Sequence, residues 1–251
     1  MKSGKLIVNF GGGICSCLSV RLDNACRYYE QYGHFPDIID SSNQFEIYKK
    51  TGSGDLSKII FSNYKRDDKI PYIHFDHGWQ YLWYDQIQIS ELSKMAANIC
   101  PISEQIKIKA KEYSDFIKDR TCVLYRGNDK IKEIPETPYE SIIEMAKDSN
   151  SNSFLVQTDE LEFFEYFKSI FPDTIRFVDL KMIHKNINES IKYTENVSEF
   201  FTNFVAALIA IGHSYKFITM IGSTGLWPII FRGNIDNIWQ YKSDLKIWRK
   251  L

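Results

Sequence analysis

The residues with the clearest chemical potential follow an apolar run near the middle of the chain. Residues 122–125 are apolar and lead directly into Arg126 and Gly127, and Asp129 and Lys130 follow after one intervening residue. In an open α/β sheet, ligands bind outside the carboxyl ends of the strands. An arginine at such an end favours an anion, because its planar guanidinium can hold two phosphate oxygens at once. Arg126 is therefore a candidate for binding a diphosphate, and a surface ion pair with Asp129 is an alternative of equal weight.

Polar residues also follow two other apolar runs. Ser223 and Thr224 begin a predicted helix, whose free N–H groups and hydroxyls could bind an anion. Taken alone, a helix cap is the commoner role for such residues. Asp159 follows the run 154–158 and could accept hydrogen bonds from a nucleotide base or ribose, although a helix cap is again the simpler role. On a parallel sheet these side chains share one edge with Arg126, which favours the phosphate hypothesis.

The loop beyond Arg126 offers a candidate base. Glu133 and Glu136 lie beside Pro135 and Pro138, which stiffen the loop. A carboxylate held at this edge of the sheet could take the proton from an acceptor hydroxyl. A solvated acidic loop is the favoured alternative when the loop is considered alone.

Glycines and histidines in the first hundred residues are weaker candidates. Gly12 and Gly13 lack the spacing of a dinucleotide-binding fingerprint, so their expected role is to leave room for a ligand or for the facing part of the chain. His74 and His77 would need a helix to bring them together, whereas residues 71–75 predict a strand. No metal site is therefore expected.

The composition excludes several classes of protein. The 251 residues are 44% hydrophobic and 25% charged, as in a soluble globular protein, and no apolar run is long enough to span a membrane. The formal charge is -1 without any block of like charge, so no nucleic-acid partner is expected. The five cysteines lack metal-ligand spacing, and an early first strand leaves no room for a signal peptide, which together favour a cytoplasmic protein with reduced thiols.

Periodicity predicts an α/β protein in two parts, with the boundary at Pro101. The predicted domains are an N-terminal one over 1–100 and a C-terminal one over 101–251. In the first, the predicted elements are strands at 5–10, 36–40 and 71–75 and a helix at 17–32.

The second part alternates strands and helices, which implies a parallel sheet with right-handed crossovers. A leading helix is predicted over 103–118. The predicted strands are 122–126, 154–158, 175–178, 217–219 and 238–241. The predicted helices between them are 138–146, 160–170, 197–211 and 222–231.

The ordered set of motifs resembles the α1,2/α1,6/O-fucosyltransferase superfamily, which includes the nodulation fucosyltransferases. Residues 124–130, with Glu133 behind them, are similar to the family's arginine motif. Residues 156–160 resemble its strand ending in Thr-Asp, and residues 218–224 resemble its strand followed by a serine at a helix start. Glycines 11–13 are similar to the glycine-rich opening of the family's first domain.

The resemblance implies a GT-B fold, in which two Rossmann-like domains with parallel sheets face each other across a cleft. It implies an inverting transfer of fucose, or of a related deoxy sugar, from GDP-fucose to a glycan hydroxyl, with no metal or other cofactor. The implied partners are thus a nucleotide-sugar donor and a glycan acceptor.

The family's roles, carried over by position, fall on residues already singled out. Arg126 would bind the donor diphosphate and stabilise its charge, and Glu133 would act as the base. The further donor-binding candidates are Asp129, Lys130, Asp159, Ser223, Thr224, Gly12 and Gly13. The chain departs from the family's pattern at Tyr125, where many members have a second arginine, and at Asn128, which lengthens or alters the spacing.

Other functions stay open at this point. A glycosyltransferase of the same fold could use a UDP-sugar, and a relative without catalysis could bind a nucleotide or a sugar. A general α/β interaction module is a fourth possibility. The acceptor, the linkage, the oligomeric state and the choice between Glu133, Glu136 or neither as base are not predicted by the sequence.

Overall fold

The first part of the chain holds a small parallel sheet against one long helix. The structure is a computed structural model and describes residues 4–49, 54–127, 133–182 and 196–251. Strand β1 (Lys5–Phe10) leads into helix α1 (Ile14–Tyr32), and strand β2 (Ile38–Gln44) then pairs in parallel with β1. Gly33 ends α1 in the left-handed conformation, with φ of 73°, which glycine adopts without strain. This β-α-β unit confirms the order of elements predicted there.

Short helices complete the first part, and here one prediction is wrong. The remaining elements are α2 (Ser57–Ile60), 3-10 helices at Glu46–Tyr48, His77–Tyr81 and Tyr84–Gln86, and α3 (Ile89–Ile99). Residues 71–75, predicted as a strand, form none. They run along α1 instead, where the Tyr72 ring stacks on Tyr29 at 4.3 Å and the Cys26 thiol donates to the Ile73 carbonyl at 3.5 Å. Their apolar residues thus pack on a helix.

The second part contains a six-stranded sheet. Its strands are β3 (Thr121–Tyr125), β4 (Phe154–Thr158), β5 (Thr174–Ile175), β6 (Lys216–Met220), β7 (Ile238–Lys242) and β8 (Ile247–Lys250). The spatial order is β5-β4-β3-β6-β7-β8, and all neighbours are parallel except β7 and β8. This is the doubly wound order, which reverses direction between β3 and β6.

Helices cover both faces of this sheet, as a parallel sheet requires. They are α4 (Glu104–Phe116), α5 (Tyr139–Asp148), α6 (Leu161–Ile170), α7 (Val197–Gly212) and α8 (Ser223–Arg232). Side chains of β3 alternate between the two faces. Val123 and Tyr125 pack with α5 and α6, whereas Cys122 and Leu124 pack on the side of α4, α7 and α8.

The core on the α7 side is continuous with the first part of the chain. Rings of Phe45 and Tyr48 meet Phe201 of α7 at centroid distances of 5.2 and 5.0 Å. The indole N–H of Trp227 in α8 donates to the Ser19 hydroxyl of α1 at 2.9 Å. The two parts are therefore packed together along one side of the larger sheet.

Most predicted element positions agree with the structure to within about three residues. Besides residues 71–75, the exceptions are β2, which continues to Gln44 where an end at 40 is predicted, and β5, which ends at Ile175 where a strand to 178 is predicted. The elements not predicted are α3, β8 and the 3-10 helices at His77–Tyr81 and Tyr84–Gln86. No helix in the described part of the chain combines the length and the apolar character needed to cross a membrane.

Candidate functional site

The sheet order places the candidate site at the reversal between β3 and β6. Strand β3 ends at Tyr125, so Arg126 is the first residue beyond it, and α8 begins at Ser223 shortly after β6. A small open pocket lies between these two ends. Its lining includes Leu124, Arg126, Thr219, Gly222, Thr224 and Gly225. In doubly wound sheets this crevice is the place where ligands bind.

Arg126 is held from two sides. Its Nη1 donates to the Thr224 hydroxyl at 3.0 Å, and its Nε lies 3.6 Å from Oδ2 of Asp159. The other Asp159 oxygen accepts from the Gly127 N–H at 3.1 Å. Three of the predicted site residues, from three different strand ends, are thus brought into contact. The side chain of Arg126 remains 30% exposed, so a ligand in the pocket can reach its guanidinium.

The backbone at the start of α8 needs two glycines. Gly222 has φ of 132°, a conformation that side-chain-bearing residues rarely adopt. A Cβ on Gly225 would overlap the Met220 carbonyl oxygen and lie 2.7 Å from the Thr219 hydroxyl. The first turn of α8 therefore packs directly against the end of β6, which positions Thr224 towards Arg126.

Ser223 is engaged by a segment from the first part of the chain. The Oε1 of Gln80 accepts hydrogen bonds from the Ser223 N–H at 2.9 Å and from its hydroxyl at 2.7 Å. The Gln80 carbonyl also accepts from the Gly222 N–H at 2.8 Å. Ser223 is predicted to contact phosphate or ribose, and in this structure its donors point to Gln80.

We refer to residues 77–86, which include both 3-10 helices of this region, as the strap. Tyr84 donates from its buried hydroxyl to the carbonyls of Met220 and Gly222, at 3.3 and 3.1 Å. The Gln240 amide of β7 bonds the Leu82 carbonyl at 3.0 Å and the Tyr84 N–H at 3.0 Å. Through these hydrogen bonds, the strap connects the first part of the chain to the carboxyl ends of β6 and β7.

The glycines of the first part lie at the start of α1. Gly13 is the N-cap of this helix, and a Cβ on it would lie 3.9 Å from the Tyr48 hydroxyl oxygen. Burial raises the pKa of the Tyr48 phenol, while the positive charge of Arg126 and a hydrogen bond from the Ile14 N–H act in the opposite direction. The Tyr48 phenol thus lies near both the start of α1 and Arg126. Gly12, which precedes Gly13, lies in the same turn between β1 and α1.

The candidate base contacts the strap. Tyr81 forms a side-chain hydrogen bond with Glu133, and the pKa of the Tyr81 phenol is raised by burial and by this carboxylate. Glu133 and Glu136 are both exposed. The hydrogen bond to Tyr81 therefore connects Glu133 with the strap.

A buried cluster supports the site from the α5 and α6 side. The Tyr125 ring stacks on Phe163 at 4.1 Å, and its hydroxyl donates to the Thr137 carbonyl at 3.1 Å. Burial and nearby carboxylates, Glu160 first among them, raise the pKa of Tyr125. Glu160 is fully buried and accepts a short hydrogen bond from the Tyr139 hydroxyl. Tyr125 therefore faces away from the pocket that Arg126 lines.

The histidines take structural positions. His74 bonds a carboxyl oxygen of Glu30 at 2.8 Å, and His77 meets the Phe10 ring edge-on. Within residues 4–49, 54–127, 133–182 and 196–251, no group of three or more His, Cys, Asp or Glu side chains is placed to hold a metal ion. Asp129 and Lys130, also predicted as site residues, lie outside the described residues.

Three residues at the site were not predicted from the sequence. They are Tyr48, Gln80 and Tyr81. The density of aromatic residues at 79–84 was a partial signal, since such a run is consistent with a cleft or core position. No local sequence pattern indicates which strand of the larger sheet a residue from the first part of the chain will contact.

Comparisons with known proteins identify the fold. The sequence matches no protein-family model and no curated protein. Solved structures of the NodZ alpha-1,6-fucosyltransferase are similar in three dimensions. A crystal soaked with GDP-fucose gives a TM-score of 0.57 at 11% identity, covering 100% of this chain and 99% of that one.

Two further NodZ structures agree. The enzyme co-crystallised with GDP has a TM-score of 0.55 at 10% identity over 96% of each chain. NodZ from Bradyrhizobium has a TM-score of 0.57 at 8% identity over 100% of this chain and 99% of that chain. Similarity over the full length at this identity establishes the fold. The chain therefore has the GT-B fold, as the resemblance implied.

Proposed function

We propose that this protein is a glycosyltransferase that moves fucose, or a related deoxy sugar, from GDP-fucose to a glycan hydroxyl. The observation that carries the proposal is the contact of Arg126 with Thr224 at the reversal of strand order. A guanidinium beside a helix N-terminus is suited to a diphosphate, because both supply donors and positive potential. The similar NodZ structures were obtained with GDP-fucose and with GDP.

The proposed reaction begins with the donor diphosphate against Arg126 and Thr224. Glu133 takes the proton of the acceptor hydroxyl, whose oxygen attacks the anomeric carbon from the face opposite the diphosphate. The bond from that carbon to the diphosphate oxygen breaks, and configuration at the carbon inverts. Arg126 stabilises the negative charge on the departing GDP, a role that needs no metal ion in this proposal.

The remaining site candidates act around this centre. Asp159 orients Arg126 and the Gly127 backbone, so its role in donor binding is mainly to hold these groups in position. Ser223 is a second phosphate or ribose donor, and Gly12 and Gly13 leave space at the facing helix. Asp129 and Lys130 retain their proposed donor-side roles.

We also propose that the two parts of the chain are domains with different functions. Residues 101–251 form the nucleotide-sugar domain, because Arg126, Asp159 and Thr224 all lie at one edge of its sheet. Residues 1–100 form the acceptor-side domain and contribute the strap and the start of α1. On this view the protein works in the cytoplasm, with a nucleotide sugar and a glycan as its partners.

A transfer assay tests the proposal. The protein is incubated with GDP-fucose or with UDP-sugars and a panel of glycan acceptors, with and without EDTA, and the released nucleotide is measured. The proposal expects GDP release that depends on an acceptor and is unaffected by EDTA. Turnover with UDP-sugars alone would support the other-donor alternative, and nucleotide binding without transfer would support a non-catalytic relative.

A further inference from the structure

The N-terminus of α8 already has an oxygen acceptor in place. The Oε1 of Gln80 accepts hydrogen bonds from both the N–H and the hydroxyl of Ser223, at 2.9 and 2.7 Å. Gln80 and Ser223 are each 4% exposed, so these bonds are shielded from water. One amide oxygen therefore occupies the donors that an anion at this helix start would use.

The surrounding contacts define the orientation of the Gln80 amide. The Ser223 N–H can only donate, so the amide atom facing it must be the oxygen. The amide nitrogen is 3.3 Å from the His77 carbonyl, to which it donates. The oxygen thus points at α8 for two independent reasons.

The position of that oxygen is next to the proposed diphosphate site. Ser223 is followed in the chain by Thr224, which receives the hydrogen bond from Arg126. A phosphate held by Arg126 and Thr224 could use the Ser223 N–H and hydroxyl as further donors only if Gln80 moved away, because the Gln80 amide oxygen accepts from both.

The strap can stay in place while the Gln80 side chain moves. Its backbone is fixed by the Gln80 carbonyl to the Gly222 N–H, by the Tyr84 hydroxyl to two carbonyls, and by Gln240 to Leu82. None of these bonds involves the Gln80 amide oxygen. Rotation about the side-chain bonds of Gln80 is therefore enough to release Ser223.

We propose that Gln80 is a built-in competitor of the donor phosphate, and that donor binding exchanges the Gln80–Ser223 hydrogen bonds for phosphate–Ser223 hydrogen bonds. This inference rests on the proposed function for the identity of the ligand. It makes the measured affinity for the nucleotide lower than the intrinsic one, because only molecules with Gln80 displaced can bind fully.

Two substitutions at one position test the proposal by the sign of their effects. Gln80→Ala removes the competing oxygen and should tighten binding of GDP and of inorganic pyrophosphate by roughly 3- to 10-fold. Gln80→Glu places a carboxylate on Ser223 and should weaken both by at least about tenfold, since the charge binds the helix start more strongly and repels phosphate. Gln86→Ala, an exposed strap residue, should change neither.

The measurement is isothermal titration calorimetry on the full chain, with circular dichroism to confirm folding of each variant. Weaker or unchanged pyrophosphate binding by a folded Gln80→Ala would overturn the proposal. If that variant does not fold, Gln80→Glu decides, because it retains an acceptor for Ser223, and unchanged affinity there would overturn it.

The two proposals fail differently. Equal GDP affinity of the wild type and of both Gln80 variants would refute the role of Gln80 as a competitor, and the proposed function would be unaffected. Pyrophosphate binding that follows the expected signs, with no binding of GDP, would refute the nucleotide-sugar function and support Gln80 as competitor. Absence of binding of either probe in every variant would refute both.

Discussion

At the scale of single residues, alternation along a strand decides which side chains reach the pocket. Tyr125 and Arg126 are neighbours in sequence, yet Tyr125 is buried against Phe163 while Arg126 lines the crevice with Thr224. Of the two residues that depart from the fucosyltransferase pattern, Tyr125 is thus a core residue, and Asn128 lies outside the described residues. Because the Tyr125 side chain points into the core, it does not displace the guanidinium of Arg126 from the pocket.

The two loop carboxylates can be separated by matched substitutions. Glu133→Gln should lower kcat by roughly 100-fold or more if Glu133 takes the acceptor proton, because general-base catalysis contributes about 10²–10⁴-fold. GDP affinity should be nearly unchanged, since the amide preserves shape. Glu136→Gln, in the same loop and also exposed, is the control and should retain turnover.

Steady-state kinetics with GDP-fucose and a competent acceptor gives both values. A Glu133→Gln variant with wild-type kcat would remove Glu133 as the base. Loss of turnover in Glu136→Gln alone would transfer the role to that residue.

Sequence patterns indicate the candidate site residues on the larger sheet, which the structure brings together, but they do not indicate Tyr48 or Gln80 from the first part of the chain. Arg126, Asp159 and Thr224 were predictable because each follows an apolar strand, and parallel strands end at one edge. Tyr48 and Gln80 were not predictable, since their roles depend on tertiary contacts with Arg126 and Ser223 rather than on local pattern.

At the scale of elements, the strap connects the two parts of the chain at the site. It has little regular structure beyond two short 3-10 helices, so tertiary contacts must fix its position. Tyr84 is fully buried and donates to the carbonyls of Met220 and Gly222. Near the end of the strap, Arg249 of β8 stacks over the Trp83 ring at 4.2 Å.

Removing the Tyr84 hydroxyl tests this role of the strap. Tyr84→Phe should lower the free energy of unfolding by about 1–3 kcal/mol, because two carbonyls at the buried start of α8 lose a donor. Tyr215→Phe is the matched control, since Tyr215 is 71% exposed, and it should change stability by less than about 0.5 kcal/mol. Urea unfolding followed by circular dichroism measures both. Equal stability of the two variants would show that the strap contact contributes nothing.

The elements themselves were largely predictable, with informative exceptions. The strands and helices of the larger sheet follow from apolar runs separated by polar turns. Residues 71–75 have the composition of a strand but pack along α1, where the Tyr72 ring stacks on Tyr29. Propensity is a weak guide in such a segment, because burial against a helix satisfies the same apolar side chains.

At the scale of the whole molecule, the described residues form a six-stranded sheet in the second part of the chain and a two-stranded sheet in the first. The full-length similarity to the NodZ structures establishes the GT-B fold. The continuous core on the α7 side packs the two parts together. This core also explains the state of the cysteines.

All five cysteines are buried as free thiols. Burial raises the pKa of Cys17, Cys26, Cys100 and Cys122 to about 12, so almost no thiolate exists at pH 8. We expect no thiol to react with DTNB in the folded protein at pH 8 within minutes, and all five to react in denaturant. Fast reaction of one or more thiols in the native protein would contradict the burial of these residues.

Binding of GDP tests the central claim most directly, because the function rests on a diphosphate held by Arg126. Isothermal titration calorimetry should show that the wild-type protein binds GDP and that Arg126→Ala binds it roughly 10- to 100-fold more weakly, through loss of charge-assisted hydrogen bonds. Arg120→Ala removes an arginine at the opposite end of β3, where it pairs with Asp173 at 2.8 Å, and should bind GDP like the wild type. No binding of GDP by the wild type, or equal binding by Arg126→Ala, would contradict the account.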